Sequence, residues 1–179
     1  MIISKTPFRI PIAGGGTDLE FYFRKKGSTF YSLAINQYVY VFLTPRTIDD
    51  KYLIQTTSTQ FVKSLNQIKH HLIRETIRFF KIKEPLHIGT YATVPTLTGL
   101  GSSSSLVVGL INCILKYKKI KMTDKEVIST AFKIERKICG NAGGWQDQII
   151  SQIGGLIRVD MSKKGTLNIK KISKKPKLI

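Results

Sequence analysis

Pro95-Thr96-Leu97-Thr98-Gly99-Leu100-Gly101-Ser102-Ser103-Ser104-Ser105 is the stretch on which the fold turns. It follows a strand-like run, Leu86 to Val94, and opens into an apolar run, Leu106 to Leu115, that predicts a buried helix. A strand, a Gly/Ser loop and a helix bring unpaired backbone N–H groups and the positive end of a helix dipole to one point, which suits phosphate. Gly99 and Gly101 allow positive φ and close approach of an anion. The serine hydroxyls can bond phosphate oxygens or ligate a hard cation. A plain helix-capping turn of Gly and Ser is the alternative. The stretch has no Lys followed by Ser or Thr after its second glycine, no third glycine in dinucleotide register and no Gly-x-Ser-x-Gly frame. It thus lacks the features of the Walker A and dinucleotide loops, and a hydrolase nucleophile elbow is not expected.

The chain around it has 179 residues, enough for one domain with a real core and too few for two large ones. A hydrophobic content of 42% is that of an ordinary globular protein. No apolar run reaches the ~20 residues that cross a bilayer, and Met1 to Pro7 carries no apolar leader core, so a cytoplasmic location is expected. Cys113 and Cys139 are isolated on apolar helical stretches and read as reduced, buried and structural. The formal charge of +18 favours anionic partners. Its one dense cluster, Lys163, Lys164, Lys170, Lys171, Lys174, Lys175 and Lys177, has no interleaved aromatics. A lysine-rich surface is therefore favoured over a dedicated nucleic-acid partner.

Working outward, Ile2 to Phe8 reads as a strand leading into the turn Gly14-Gly15-Gly16, after which Asp18 could cap a short helix, Leu19 to Arg24. Ser28 to Ile35 and Gln37 to Pro45 read as two strands parted at Asn36, and Tyr52 to Thr56 as another. Phe61, Leu65, Ile68, Leu72 and Phe79 follow helical spacing, which predicts a helix over about 60–81. His70 and His71 would lie on its rim, and His87 has no evident partner. Thr123 and Glu126 form a capping box for a helix whose inner face is Val127, Ala131, Ile134 and Ile138. Glu135 sits beside that stripe, where a lone carboxylate is costly. Either an ion pair with Arg136 or a Lys, or a Mg²⁺ site, would account for it. Gln146-Asp147-Gln148, after Gly143-Gly144, could open a helix. Leu156 to Asp160 and Thr166 to Ile172 complete the strands. Strands first and helices after give an α+β domain.

Three blocks, spread from Thr6 to about Val159, resemble the GHMP small-molecule kinases, the family of galactokinase, homoserine kinase, mevalonate kinase and phosphomevalonate kinase. Pro-x-x-x-Gly-Leu-Gly-Ser-Ser from Pro95 to Ser103 is similar to the second family motif. Pro7-Phe8-Arg9-Ile10, then Gly14-Gly15-Gly16-Thr17-Asp18, resembles the first motif in the form typical of D-glycero-D-manno-heptose 7-phosphate kinases and related fucokinase domains. Gly143-Gly144-Trp145-Gln146-Asp147-Gln148 is similar to the family's Gly-Gly-x-x-Asp-Gln.

The resemblance implies a mixed sheet packed by helices (ribosomal protein S5 domain 2-like) over residues 1–172, with a left-handed crossover at the phosphate loop. It implies ATP and Mg²⁺ as cofactors and a sugar phosphate as substrate. Gly99, Leu100, Gly101, Ser102, Ser103 and Ser104 would hold the nucleotide phosphates, and Ser103 and Glu135, 135 − 103 = 32 residues apart, would place the metal. Arg9 would face the transferring phosphate and Asp147 would accept the proton of the attacking hydroxyl. Gly15, Gly16, Thr17, Asp18 and Gly144 would contact the sugar. Family kinases also carry a second domain, which nothing after Asp160 resembles, and Ser173 to Ile179 reads as a basic tail or linker. A truncated form, a split gene or a shortened paralogue would each explain this. A separate C-terminal kinase domain is then a possible partner, and weak turnover is expected of the chain alone. An inactive domain that still binds nucleotide or sugar phosphate, and a basic nucleic-acid binder, are the competing functions.

Overall fold

The computed structural model describes residues 1–95 and 98–172. Thr96, Leu97 and the basic tail 173–179 lie outside the described residues. In chain order the elements are β1 (Ile2–Ala13), α1 (Glu20–Lys26), β2 (Ser28–Pro45), β3 (Tyr52–Gln55), β4 (Thr59–Val62), a 3₁₀ turn (Leu65–Gln67), α2 (His71–Phe79), β5 (Leu86–Ala92) and α3 (Ser102–Lys118). After these come α4 (Asp124–Phe132), a π turn (Lys133–Ile138), α5 (Gln146–Ile153), β6 (Leu156–Met161) and β7 (Leu167–Lys171). The strands form one mixed sheet in the order β4-β3-β5-β2-β6-β7, with β1 paired to β2.

The frame is β2, an 18-residue strand. Ser28–Leu33 pairs with β6, Val39–Pro45 pairs with β5, and β1 runs antiparallel along the opposite edge of both halves. The two strands expected here are therefore one. The break expected at Asn36 is the place where β2 changes partner, and the chain passes straight through it. Pro7 and Pro11 are tolerated in β1 because it pairs on one side only. The register slips between Pro7 and Arg9, and an irregularity of this kind re-aims side chains. Phe8 enters the core while Arg9 leaves it for the loop before α3.

The expected helix over 60–81 is corrected: only His71–Phe79 is α-helical. Phe61 belongs to β4, antiparallel to β3, and is half exposed, so its helical spacing with Leu65 is a coincidence of phase. Ser64 and Gln67 form a capping box that starts the 3₁₀ turn instead.

Ten residues of α3 are buried, among them Val107, Val108, Ile111 and Ile114. β-Branched side chains weaken helix propensity by tenths of a kcal/mol, roughly, whereas each buried aliphatic side chain contributes about 1.5–3 kcal/mol, so burial wins. Gly109 lets α3 lie directly on β1, since a Cβ there would fall 2.8 Å from the Ser4 and Thr6 hydroxyls. Lys116 and Lys118 lie in the last turn of α3 and complement its dipole.

After α4 the helix widens. The Cys139 N–H bonds the Ile134 carbonyl, five residues back, at 2.9 Å. This shifts the helical phase, and Ile138, expected on the inner face, is 45% exposed. Both cysteines are free thiols. Cys113 is buried, and burial pushes its thiol up. Cys139, expected buried as well, is only half-buried. His87, for which no partner was expected, bonds Gln55 Oε1 at 2.5 Å across the β3–β5 pair. Among the described residues no helix is long and apolar enough to cross a membrane.

Candidate active site

The loop ahead of α3 is closed by Gly101 in the left-handed region (φ 82°). The first intrahelical bond runs from the Ser105 N–H to the Gly101 carbonyl at 3.0 Å, so the amides of Ser102, Ser103 and Ser104 precede the ladder. Arg9 ties β1 to this loop twice: its N–H bonds the Leu100 carbonyl at 3.2 Å, and its Nη1 donates to the Gly99 carbonyl at 2.8 Å. The rest of the same guanidinium grips Asp147, with Nε and Nη2 at 2.7 and 2.6 Å from Oδ1. A Cβ on Gly101 would sit 3.5 Å from both Arg9 Cγ and Asp147 Cγ, so three distant segments meet at this glycine.

The serines divide the work. Ser103 and Ser104 donate to Oε1 and Oε2 of Glu135, each at 2.6 Å. Gln148 Nε2 reaches Oε2 at 2.6 Å and Arg136 Nη1 reaches Oε1 at 3.3 Å. Glu135 is fully buried, with donors on both oxygens, which is how a buried carboxylate is kept tolerable. Of the two accounts its position left open, the ion pair with Arg136 is present. It does not exclude the other, because the Ser103 hydroxyl and Glu135 Oε1 are two adjacent oxygen donors of the type Mg²⁺ takes. Ser104 is fully buried on Glu135, so of the three serine amides ahead of the ladder those of Ser102 and Ser103 belong to partly exposed residues. Ser105 instead donates to the Pro7 carbonyl at 2.9 Å and meets Ser151 at 3.1 Å, locking β1, α3 and α5 together.

Asp18 does not cap α1, whose cap is Leu19 without a side-chain bond. Its carboxylate accepts the N–H of Gln146, the first residue of α5, at 2.8 Å. Gly144 makes that possible, since a Cβ there would be 2.1 Å from Asp18 Oδ2. Asp18 and Gly144 thus join Asp147 through the start of α5. Gly15 and Gly16 are exposed. Thr17 turns back on the Gly14 carbonyl and the Ser28 hydroxyl, at 2.7 and 2.6 Å. It lines a separate open groove of about 650 Å³ with Tyr22, Lys26 and Asp160, a lining that does not include Asp147.

Two residues of the network, Arg136 and Gln148, were not singled out as site residues from sequence. Arg136 was signalled only by its place beside Glu135, whereas Gln148 closes the Gly-Gly-x-x-Asp-Gln block and was quoted there without a role. A cavity of about 780 Å³ opens beside Ser102 and Ser103, walled by Val39, His70, Leu72 and Leu106. That size suits a small-molecule site. Burial pushes His70 below its ordinary value, with His71 adding a smaller repulsion. Among the described residues no group of three or more His, Cys, Asp and Glu is placed to hold a metal.

The family described as GHMP kinases N terminal domain matches residues 64–155, just over half of the chain. A curated relative from Campylobacter jejuni, D-glycero-alpha-D-manno-heptose 7-phosphate kinase, is 31% identical over 166 residues, 86% of this chain and 49% of its own length. Mevalonate kinase of Saccharolobus solfataricus is 30% identical over 129 residues, 65% of this chain and 41% of its own length. The crystal structure of a D-glycero-D-manno-heptose 1-phosphate kinase from Bacteriodes thetaiotaomicron superposes with a TM-score of 0.90 at 27% identity, covering 98% of this chain and 61% of that one. The chain spans about half the length of the curated relatives it matches. Matched over the loop, α3, the π turn and the start of α5, this chain belongs to the GHMP kinase family.

Proposed function

We propose that this chain is the nucleotide- and acceptor-binding part of a cytoplasmic, ATP-dependent sugar kinase that phosphorylates the anomeric hydroxyl of a heptose 7-phosphate or a similar phosphorylated sugar. The observation that carries it is Arg9, whose single guanidinium bonds both the Gly99 carbonyl of the loop and the carboxylate of Asp147. A group that touches both is where a γ-phosphoryl and its acceptor would have to meet. The names of the relatives place the sugar phosphate differently, at position 7 and position 1, so the choice of hydroxyl is part of the proposal.

The triphosphate would lie on the amides of Gly99 to Ser104, with the positive end of α3 behind them. The nucleoside would enter the cavity beside Ser102. Ser103 and Glu135 would hold Mg²⁺, which when bound supplies charge neutralisation on the phosphate oxygens. Fixed donors aimed at developing charge lower the barrier because they need no reorganisation, and Arg9 is anchored at both ends for that task. Asp147 keeps Oδ2 outside the grip of Arg9 and would orient the sugar hydroxyl and take its proton. Asp18 and Gly144 would shape the sugar side, with the exposed glycines Gly15 and Gly16 preceding Asp18, while Thr17 faces the other groove. The protein's positive charge suits a phosphorylated acceptor.

Turnover by the chain alone is expected to be weak, and efficient phosphorylation of heptose 7-phosphate by it would contradict that part. Where turnover is measurable, Asp147→Asn should lower it by about 10²–10⁴-fold while leaving Mg·ATP affinity intact. Unchanged turnover removes Asp147 from the role of base. The competing reading is an inactive domain or subunit that binds nucleotide or sugar phosphate. Stabilisation by both ligands in a thermal-shift panel, with no transfer in the presence of a C-terminal kinase domain, would select it. Tight binding of single strands with a steep salt slope would instead select a nucleic-acid partner.

A further inference from the structure

Arg136 follows Glu135 in the chain, and in a regular α-helix neighbours point about 100° apart. Here both turn inward: Glu135 is fully buried and the Arg136 side chain is 7% exposed. The π turn over Lys133–Ile138 accompanies this, and such turns cluster at functional positions. The guanidinium reaches four groups. Nη1 donates to the Ala142 carbonyl at 2.8 Å and lies 3.3 Å from Glu135 Oε1. Nε points to the Gly144 carbonyl at 3.4 Å, and Nη2 lies 3.7 Å from Asp147 Oδ2. Gly143, at φ 139°, lies over its face, where a Cβ would stand 2.6 Å from Cζ.

We propose that Arg136 is a positioning residue that moulds the 142–144 loop and sets Asp147 in place relative to Glu135. It thereby links the proposed metal side of the site to the acceptor side. The inference rests on the proposed contact of Asp147 with the acceptor hydroxyl. The Arg9 guanidinium holds Oδ1 from the phosphate-loop side, and that of Arg136 stands on the π-turn side with Nη2 3.7 Å from Oδ2, close enough to bias the carboxylate without bonding that oxygen. A lysine cannot replace the second one: a single ammonium cannot reach two carbonyls and two carboxylates from one point.

The test uses the full chain, two variants at Arg136 and an Asp147→Asn background. Arg136→Lys keeps the positive charge near Glu135 and should fold. Arg136→Ala opens a guanidinium-shaped space. In Arg136→Lys, amide exchange at Gly143 to Asp147 should quicken roughly tenfold or more, with α3 and the sheet changing less than about twofold. Millimolar guanidinium, and not urea, should restore protection to Arg136→Ala. With ligands, the affinity for heptose 7-phosphate should fall roughly tenfold, with Mg·ATP affinity held within about threefold. The sugar effect should shrink in an Asp147→Asn background. Unchanged exchange at 143–147, protection lost evenly across the chain, no rescue by guanidinium, or equal loss of both ligands would each overturn the proposal. A wild-type chain that takes no heptose 7-phosphate contradicts the proposed function, and the exchange and rescue measurements then decide the role of Arg136 by themselves.

Discussion

Glu135 and Asp147 sit on either side of one glycine-rich loop, share a contact with Arg136, and are built for opposite purposes. Both oxygens of Glu135 are occupied by Ser103, Ser104, Gln148 and Arg136, and no surface of it meets solvent. The Asp147 side chain is 20% exposed, spends Oδ1 on Arg9, and leaves Oδ2 at 3.7 Å from Arg136 Nη2. A carboxylate wrapped by donors belongs to the framework and can exchange a hydroxyl for a hard cation. One with an open oxygen can meet a substrate. Burial and partner number therefore separate a holding group from a touching one where residue type cannot.

Stability should break this comparison first if it is wrong. Glu135→Ala strands Ser104, Gln148 and Arg136 in the interior and should cost about 3–5 kcal/mol. For a chain of this size that is a fall in Tm of roughly 6–20 °C. Asp147→Ala should cost no more than about 2 kcal/mol, because Arg9 keeps the Gly99 carbonyl and reaches water. Equal losses in a thermal melt would erase the distinction.

A smaller effect sharpens it. Ser104→Ala removes a fully buried donor from Glu135 and should cost about 1.5–3 kcal/mol. Ser103→Ala, partly exposed, should cost below about 1 kcal/mol, since water can take its place. The order should reverse for Mg·ATP affinity, which Ser103→Ala should lower more.

The smallest effect is a background to any titration of either carboxylate. Burial holds His70 below its ordinary value, so the folded chain prefers it neutral. As pH falls through the unfolded value near ~6.5, the unfolded chain takes a proton that the folded chain refuses, and stability drops until the folded form protonates too. His70→Gln should flatten stability against pH below that point, as read by denaturant melts.

What was legible in the sequence rested on local signals. The strand before the loop, the buried helix after it and the Thr123–Glu126 capping box depend on residues a few positions apart, and each is present. β4 and the unbroken β2 depend on pairing with distant strands, which periodicity does not carry. The bond of Asp18 to Gln146 spans 128 residues, so its local role as a helix cap was the natural expectation. The three motif blocks named Arg9, Ser103 and Asp147 in advance, and Glu135 followed from its place beside an apolar stripe and its spacing from Ser103. Arg136 was visible only as a partner for Glu135, because its inward turn comes from a widened helical turn that no residue pattern announces.

The central claim is that residues around 9–18, 99–104 and 135–147 form one anion cradle. Backbone chemical-shift mapping with Mg²⁺ and a non-hydrolysable ATP analogue tests it most directly. The account predicts shifts concentrated at Arg9, Gly99 to Ser104, Glu135 and Gly144 to Asp147. Shifts confined to the lysines of the β6–β7 end, at Lys163, Lys164, Lys170 and Lys171, would contradict it.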